Sequence, residues 1–139
     1  MQKNNNRGFT LIELLIVMII LGLIASLVAP KMFNKVSSAK TGTARSQIEL
    51  LGTALDAYRL DNGAYPTTAQ GLNALREAVQ GQETWEGPYL PKPVPDDPWN
   101  RPYMYKSPGD HGDYDLYTYG RDGQAGGEDE DEDVASWEN

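Results

Sequence analysis

Apolar positions along the chain fall into three regimes. From Phe9 to Ala29 they are nearly continuous, broken by the polar residues Thr10, Glu13 and Ser26. At 1.5 Å rise, such a run makes about 30 Å of helix, just enough to cross the hydrocarbon core of a bilayer. From Asn34 to Leu60 the pattern becomes periodic, with Ala44, Ile48, Leu51, Leu55 and Tyr58 spaced four, three, four and three apart. That spacing predicts a helix continuing the first, with one face turned to a sheet or loop. Gly42 and Gly52 weaken it locally, and Asn62-Gly63 supplies a C-terminal stop. Pro30 lacks a backbone N–H and predicts a kink or local opening, so one long helix and two helices hinged at Pro30 both fit; it equally suits a membrane exit.

Beyond Leu60 the apolar spacing shortens. Thr68 to Ala78 reads as a short helix with Leu72 and Leu75 inward, approached by Tyr65-Pro66-Thr67. Trp85 to Pro95 is proline-rich and predicts an extended loop, ordered where its aromatics reach the core. Tyr103-Met104-Tyr105 is a short strand, and Asp113 to Tyr119 alternates as its partner. Tyr114, Leu116 and Thr118 fall on one face of it and Asp115, Tyr117 and Tyr119 on the other. Ser107 to Gly112 is the hairpin connection. The fold class is therefore α+β: a long N-terminal helix, one half apolar and one half amphipathic, packed on a small antiparallel sheet head.

Composition narrows the chemistry. With 139 residues there is room for one small domain beside the apolar run. There is no cysteine for a disulfide or thiolate site, and His111 is the sole histidine. Twelve Lys and Arg stand against 20 Asp and Glu, a formal charge of -8. An acidic exterior repels phosphate backbones and suits cations, so no nucleic acid partner is expected. A nucleophile–base triad would rest on His111 in a hairpin loop, and carboxylate pairs can be chosen almost anywhere in so acidic a chain, so neither argues for an enzyme. No glycine-rich phosphate loop ends in lysine and Ser or Thr, so any mechanical work must come from partners.

The basic residues before the apolar run, Lys3 and Arg7, keep that end cytoplasmic and send the bulk of the chain across the membrane. Ala25-Ser26-Leu27 and Leu27-Val28-Ala29 are weak signal-peptidase sites, and retention of the apolar segment is the alternative. Gly22 and Ser26, four apart, offer a small-residue surface for another helix. Glu13 is the anomaly. A carboxylate at the centre of a membrane helix costs on the order of 3 kcal/mol, less near the interface, where Glu13 would lie. It is either incidental to an ordinary single-pass anchor or has a partner.

Arg7-Gly8-Phe9-Thr10-Leu11-Ile12-Glu13 resembles the leader junction of type IV pilin-like proteins. Asp61-Asn62-Gly63-Ala64-Tyr65-Pro66-Thr67-Thr68-Ala69-Gln70-Gly71-Leu72, Asp97-Pro98-Trp99-Asn100, Tyr114-Asp115-Leu116-Tyr117 and Gly120-Arg121-Asp122-Gly123 are similar to the major pseudopilins of the type II secretion system. The resemblance covers essentially the whole chain, and it implies a pilin-like fold and three parts: a leader at 1–8, a transmembrane and filament-core helix at 9–30, and a periplasmic head at 31–139. It also implies that a prepilin peptidase cuts between Gly8 and Phe9 and methylates the new terminus. The chain would be a single-pass inner-membrane protein that self-associates into a helical periplasmic pseudopilus with minor pseudopilins. An inner-membrane platform powered by a separate ATPase would drive assembly, supporting export of folded proteins. A subunit of a type IV pilus or competence filament is the alternative. Many adhesive pilins carry a cysteine-bounded C-terminal loop, which is missing here. In such a filament, Glu13 would meet the amino terminus of a neighbouring subunit.

Six consecutive acids, Glu128 to Asp133, follow the glycine-rich Gly120 to Gly127. By composition they read either as a solvated charge run or as hard oxygen donors for a cation, and the spacing is not that of an EF-hand. The resemblance implies one calcium in the loop 119–133. Asp122 and Asp129 would give side-chain ligands, and Tyr119, Gln124 and Gly127 backbone carbonyls, with Asp131 and Asp133 as substitutes. Val134 and Trp137 would pin the tail to the domain. Arg121 departs from that family, which more often has a small residue at this place.

Overall fold

The computed structural model describes residues 8–138. The leader residues Lys3 and Arg7 lie outside the described residues. The chain divides into two compact units, one ending at Val36 and the other beginning at Ser37. Helix α1, Leu11–Asn62, supplies the helical residues of the first and opens the second.

In the first unit the helix runs unbroken through Pro30, so the hinge of two separate helices does not form. Its apolar side chains are all exposed: Phe9 is 84% accessible, and Leu15, Ile19, Leu23, Leu27 and Phe33 are open as well. Apolar surface left in water is unfavourable by about 25 cal/mol per Å². This half of α1 therefore belongs in lipid or against other protein. Ser26 satisfies its hydroxyl locally by donating from Oγ to the Leu23 carbonyl at 2.8 Å, which suits an apolar surrounding.

In the second unit the expected stripe is the core. Ala44, Ile48, Leu51, Leu55 and Tyr58 are buried, joined by Ala54. They pack in one cluster with Leu72, Leu75, Leu90, Tyr103, Leu116 and Val134. Gly52 sits in this face for a packing reason, since a Cβ there would lie 3.0 Å from the Tyr114 hydroxyl. Helix α1 stops where expected, with the Gly63 N–H returning to the Arg59 carbonyl at 2.8 Å.

The short helix expected over Thr68 to Ala78 does not form. A reciprocal pair of bonds, Thr67 N–H to Gln70 Oε1 and Gln70 N–H to Thr67 Oγ1, starts a turn as a capping box would. Gly71 then takes a left-handed φ of 62° and ends it, leaving only a 3-10 helix at Leu72–Leu75. Trp85 and Tyr89 order the proline-rich loop, as expected. The Trp85 indole donates to the Ala74 carbonyl at 2.8 Å, and the Tyr89 N–H donates to the Leu75 carbonyl at 2.8 Å.

The sheet has three antiparallel strands in chain order: β1 (Met104–Lys106), β2 (Asp115–Thr118) and β3 (Val134–Ala135). Tyr105 pairs with Leu116, and Tyr117 with Ala135. The first two strands were legible in the alternation, but β3 was not: two residues after an acidic run carry no period. Leu116 and Thr118, on one face of β2, are buried, and so is Asp115 on the other. It is tolerated there because it accepts from the N–H groups of Asp110 at 2.9 Å and His111 at 3.1 Å, and from the His111 ring at 3.0 Å.

Candidate functional site

Two places concentrate the candidate chemistry, the start of α1 and the C-terminal loop. At the start, Thr10 and Glu13 form a capping box: the Thr10 N–H donates to Glu13 Oε2 at 2.9 Å, and the Glu13 N–H donates to Thr10 Oγ1 at 3.2 Å. Two donors that the first helical turn leaves without backbone acceptors are thereby satisfied. A negative charge at a helix N-terminus also complements the helix dipole. Glu13 thus has a task within its own chain, one legible in the spacing Thr10-x-x-Glu13. Among the described residues, a Cβ placed on Gly8 meets no atom within 4 Å. The fold itself makes no demand for glycine there, and both Gly8 and Phe9 are exposed.

The C-terminal loop is built from the inside out. Asp97 is buried and accepts from the N–H groups of Trp99 and Arg101, each at 2.9 Å, through one oxygen. Its other oxygen takes the Thr118 hydroxyl. The motif Asp97-Pro98-Trp99-Asn100 is therefore a structural turn bolted to β2. That turn aims Arg101, which donates to the carbonyls of Gly120 at 3.0 Å and Arg121 at 2.7 Å, fixing the first residues of the loop.

The loop then closes on itself through Arg121. Its Nε and one terminal nitrogen donate to the two oxygens of Asp131, each at 2.9 Å, and its other terminal nitrogen reaches Glu130 at 3.1 Å. The Arg121 N–H donates to the Glu130 carbonyl at 2.8 Å. The Asp131 hydrogen bond, with the nearby acids, holds the guanidinium above its ordinary pKa. Gly127 has φ 99°, and a side chain there would run into the backbone of Asp131, so the return of the acidic run past the glycines requires that residue to be glycine.

The candidate calcium ligands distribute as follows. Asp122 Oδ1 accepts from the Gln124 N–H at 3.0 Å and borders a cavity of about 510 Å³ with Asp97, Arg101 and Gly123. Asp129 has a left-handed φ of 57°, opens a 3-10 helix at Asp129–Asp131, and borders a different cavity of about 310 Å³ beside Arg45 and Glu132. Asp131 is engaged by Arg121, and Asp133 Oδ2 accepts from the Gly126 N–H at 2.8 Å. Among the described residues, no three His, Asp or Glu side chains converge as a metal cluster. Asp133 Oδ1, however, is buried without a hydrogen-bond partner, the kind of hard oxygen a divalent cation would satisfy. Positive φ at Gly120, Gly123, Gly126, Gly127 and Asp129 turns the loop backbone sharply, and its carboxylates are hard oxygens of the kind calcium takes, but Asp122 and Asp129 do not border a common cavity.

Sequence reasoning missed a second cluster beside the loop. The His111 ring, held by Asp115, stacks on Trp137 at 4.0 Å and 6° between planes, and Trp137 meets Tyr117 edge-on at 5.5 Å. The tail is thus pinned as expected, with Val134 buried, and His111 is the unforeseen partner. The hydrogen bond with Tyr119, together with burial, pushes the Tyr117 phenol up to about 12. Burial alone would raise the Asp115 carboxyl, but the bonds it accepts from Asp110 and His111 outweigh that and hold it below the usual aspartate value.

Comparison with known proteins bears on the whole chain. The family model for type II secretion system protein G matches residues 31–137, and that for a prokaryotic N-terminal methylation motif matches residues 3–29. The chain is 44% identical over 142 residues to the type II secretion system core protein G of Pseudomonas aeruginosa, covering 100% of both. To the core protein G of Vibrio cholerae it is 45% identical over 133 residues, 94% of this chain and 90% of that one. Among solved structures it is similar to the major pseudopilin of the type 2 secretion system of enterohaemorrhagic Escherichia coli, with TM-score 0.62 and 37% identity over 76% of this chain and 92% of that one.

Proposed function

The chain belongs to the type II secretion system protein G family, and from that premise we infer how it works. It is a structural subunit of the pseudopilus that serves protein export, not an enzyme, and it is anchored in a membrane by its apolar helix. The observation that carries this reading is the coincidence of 44% identity over the full length with a helix half whose apolar side chains are exposed among the described residues.

We further propose the steps. The chain sits in the inner membrane with its head in the periplasm, and the prepilin peptidase cuts between Gly8 and Phe9. Platform, ATPase and minor pseudopilins then act on a subunit whose first helix moves from lipid into the filament core. Lipid tails are as apolar as the helix, so that transfer has little hydrophobic driving force, and packing and polar pairing must favour it. Glu13 supplies such a pairing: once Phe9 carries a free amino terminus, the carboxylate of one subunit meets the terminus of a neighbour. The loop 119–133 holds calcium through Asp122 and Asp129 with the carbonyls of Tyr119, Gln124 and Gly127, and the ion would supply charge neutralisation for the acidic run. Arg101 and Asp97 hold the loop's first residues in place for it, while Val134 in β3 anchors its end.

Deletion of the gene in its own host, with exoprotein export and twitching motility measured together, tests the reading. Export should fall to background while motility persists. Lost motility with normal export would instead select a type IV pilus subunit.

A further inference from the structure

The acidic loop carries its own cation. Of the six consecutive acids, Glu130 and Asp131 are the two gripped by Arg121. Asp131 is gripped by a two-pronged fork with both bonds at 2.9 Å, and Glu130 by a third prong at 3.1 Å. The arginine is 59% exposed at its side chain, whereas Glu130 and Asp131 are 17% and 28% exposed. The two acids are thus drawn inward and the guanidinium lies over them. A planar fork on a carboxylate combines charge with fixed geometry, which lysine would not reproduce. The grip also spans the loop: Arg121 lies just after the Gly120 turn, and Asp131 lies three residues before β3. The Arg121 backbone adds a bond to the Glu130 carbonyl, and Arg101 holds the Arg121 carbonyl from the other side. Without a cation, six adjacent carboxylates would repel one another and push β3 off the edge of β2.

We propose that Arg121 is a tethered counter-ion that folds the acidic loop and seats β3 without metal, so that calcium binds a loop already formed rather than creating it. Four acids, Glu128, Asp129, Glu132 and Asp133, are left for the ion, and the orphaned Asp133 Oδ1 is among them. The calcium half of this statement rests on the calcium reading above; the clamp half does not. A loop folded in this way should survive chelation but should loosen in high salt, which screens the half-exposed ion pair.

The test uses the full-length chain in detergent micelles, comparing the wild type with Arg121→Ala and Arg121→Lys, each in chelator and in millimolar calcium chloride. The readouts are the rate of proteolysis within 119–133 and the thermal midpoint. In chelator the wild-type loop should resist cleavage, whereas Arg121→Ala should be cut about fivefold faster or more, with Arg121→Lys between them. Calcium should restore much of the protection lost by Arg121→Ala while changing the wild type little. Equal cleavage of wild type and Arg121→Ala in chelator would overturn the clamp. So would an Arg121→Lys variant indistinguishable from the wild type, because the fork would then be irrelevant. If Arg121→Ala fails to fold, Asp131→Asn serves in its place, and its normal resistance in chelator would overturn the clamp equally. Absence of any calcium effect on any variant would remove the calcium reading while leaving the clamp standing on the chelator data.

Discussion

Asp115 shows how a single polar residue can serve as structure. It lies in β2 and is charged, yet it is buried and accepts three hydrogen bonds from the hairpin at Asp110 and His111. An ionised acceptor with several donors is worth more than a neutral one, and its removal leaves those donors unpaired. Asp115→Asn should lower stability by about 1–3 kcal/mol at pH 7, measured by urea denaturation. The folded-state pKa lies below the ordinary aspartate value, so the ionised side chain stabilises the fold above that value and loses its effect as pH falls through the depressed one. The gap between wild type and Asp115→Asn should therefore narrow below about pH 4. A gap that stays constant down to pH 2 would assign the effect to packing alone. Asp97 is likewise a buried acceptor, holding the turn that carries Arg101, which explains why a motif recognised by resemblance is structural at the level of atoms.

At the scale of elements, α1 divides its labour by what its side chains meet. The stripe Ala44, Ile48, Leu51, Leu55, Tyr58 is buried, while Leu60, on the same stretch of helix, is 86% exposed. Leu55→Ala should cost about 2–5 kcal/mol through lost burial and the cavity left behind, whereas Leu60→Ala should stay within about 0.5 kcal/mol. Thermal denaturation of both variants checks the contrast, and equal shifts would mean that the helix is not seated as described. The stripe was readable because its period matches the helix. The turn at Gly71 was not: an apolar pair, Leu72 and Leu75, at helical spacing suits a 3-10 turn as well as an α-helix, and only the left-handed glycine decided between them. Strand β3 escaped because two residues cannot display alternation.

For the whole molecule, the capping box sharpens what a test of Glu13 must separate. Glu13→Ala removes both the acceptor for the Thr10 N–H and the charge, whereas Glu13→Gln keeps an acceptor and removes only the charge. Both variants should be exported and cleaved after Gly8. If pairing with a neighbour's amino terminus favours assembly, both should lower polymer yield about tenfold or more, since an unpaired charge in an apolar core costs several kcal/mol. Yield is read by shearing and sedimentation of filaments. A normal yield from Glu13→Gln with a poor one from Glu13→Ala would leave the capping box as the whole role of Glu13.

The sequence by itself determined the long helix, its apolar and amphipathic halves, the first two strands, the N-terminal methylation motif and the family, because each is written in local period or in a contiguous motif. It also placed Glu13 three residues after Thr10, from which the capping box follows. The tertiary structure alone decided which acids are engaged and by what. Arg121 reaches Asp131 across ten residues, Asp97 reaches Thr118 across 21, and His111 stacks on Trp137 at the far end of the chain. A run of six like charges looks uniform in sequence, since nothing local distinguishes one carboxylate from the next. Folding brings one guanidinium to two of them, and that meeting of distant residues is what sets Glu130 and Asp131 apart from the other four.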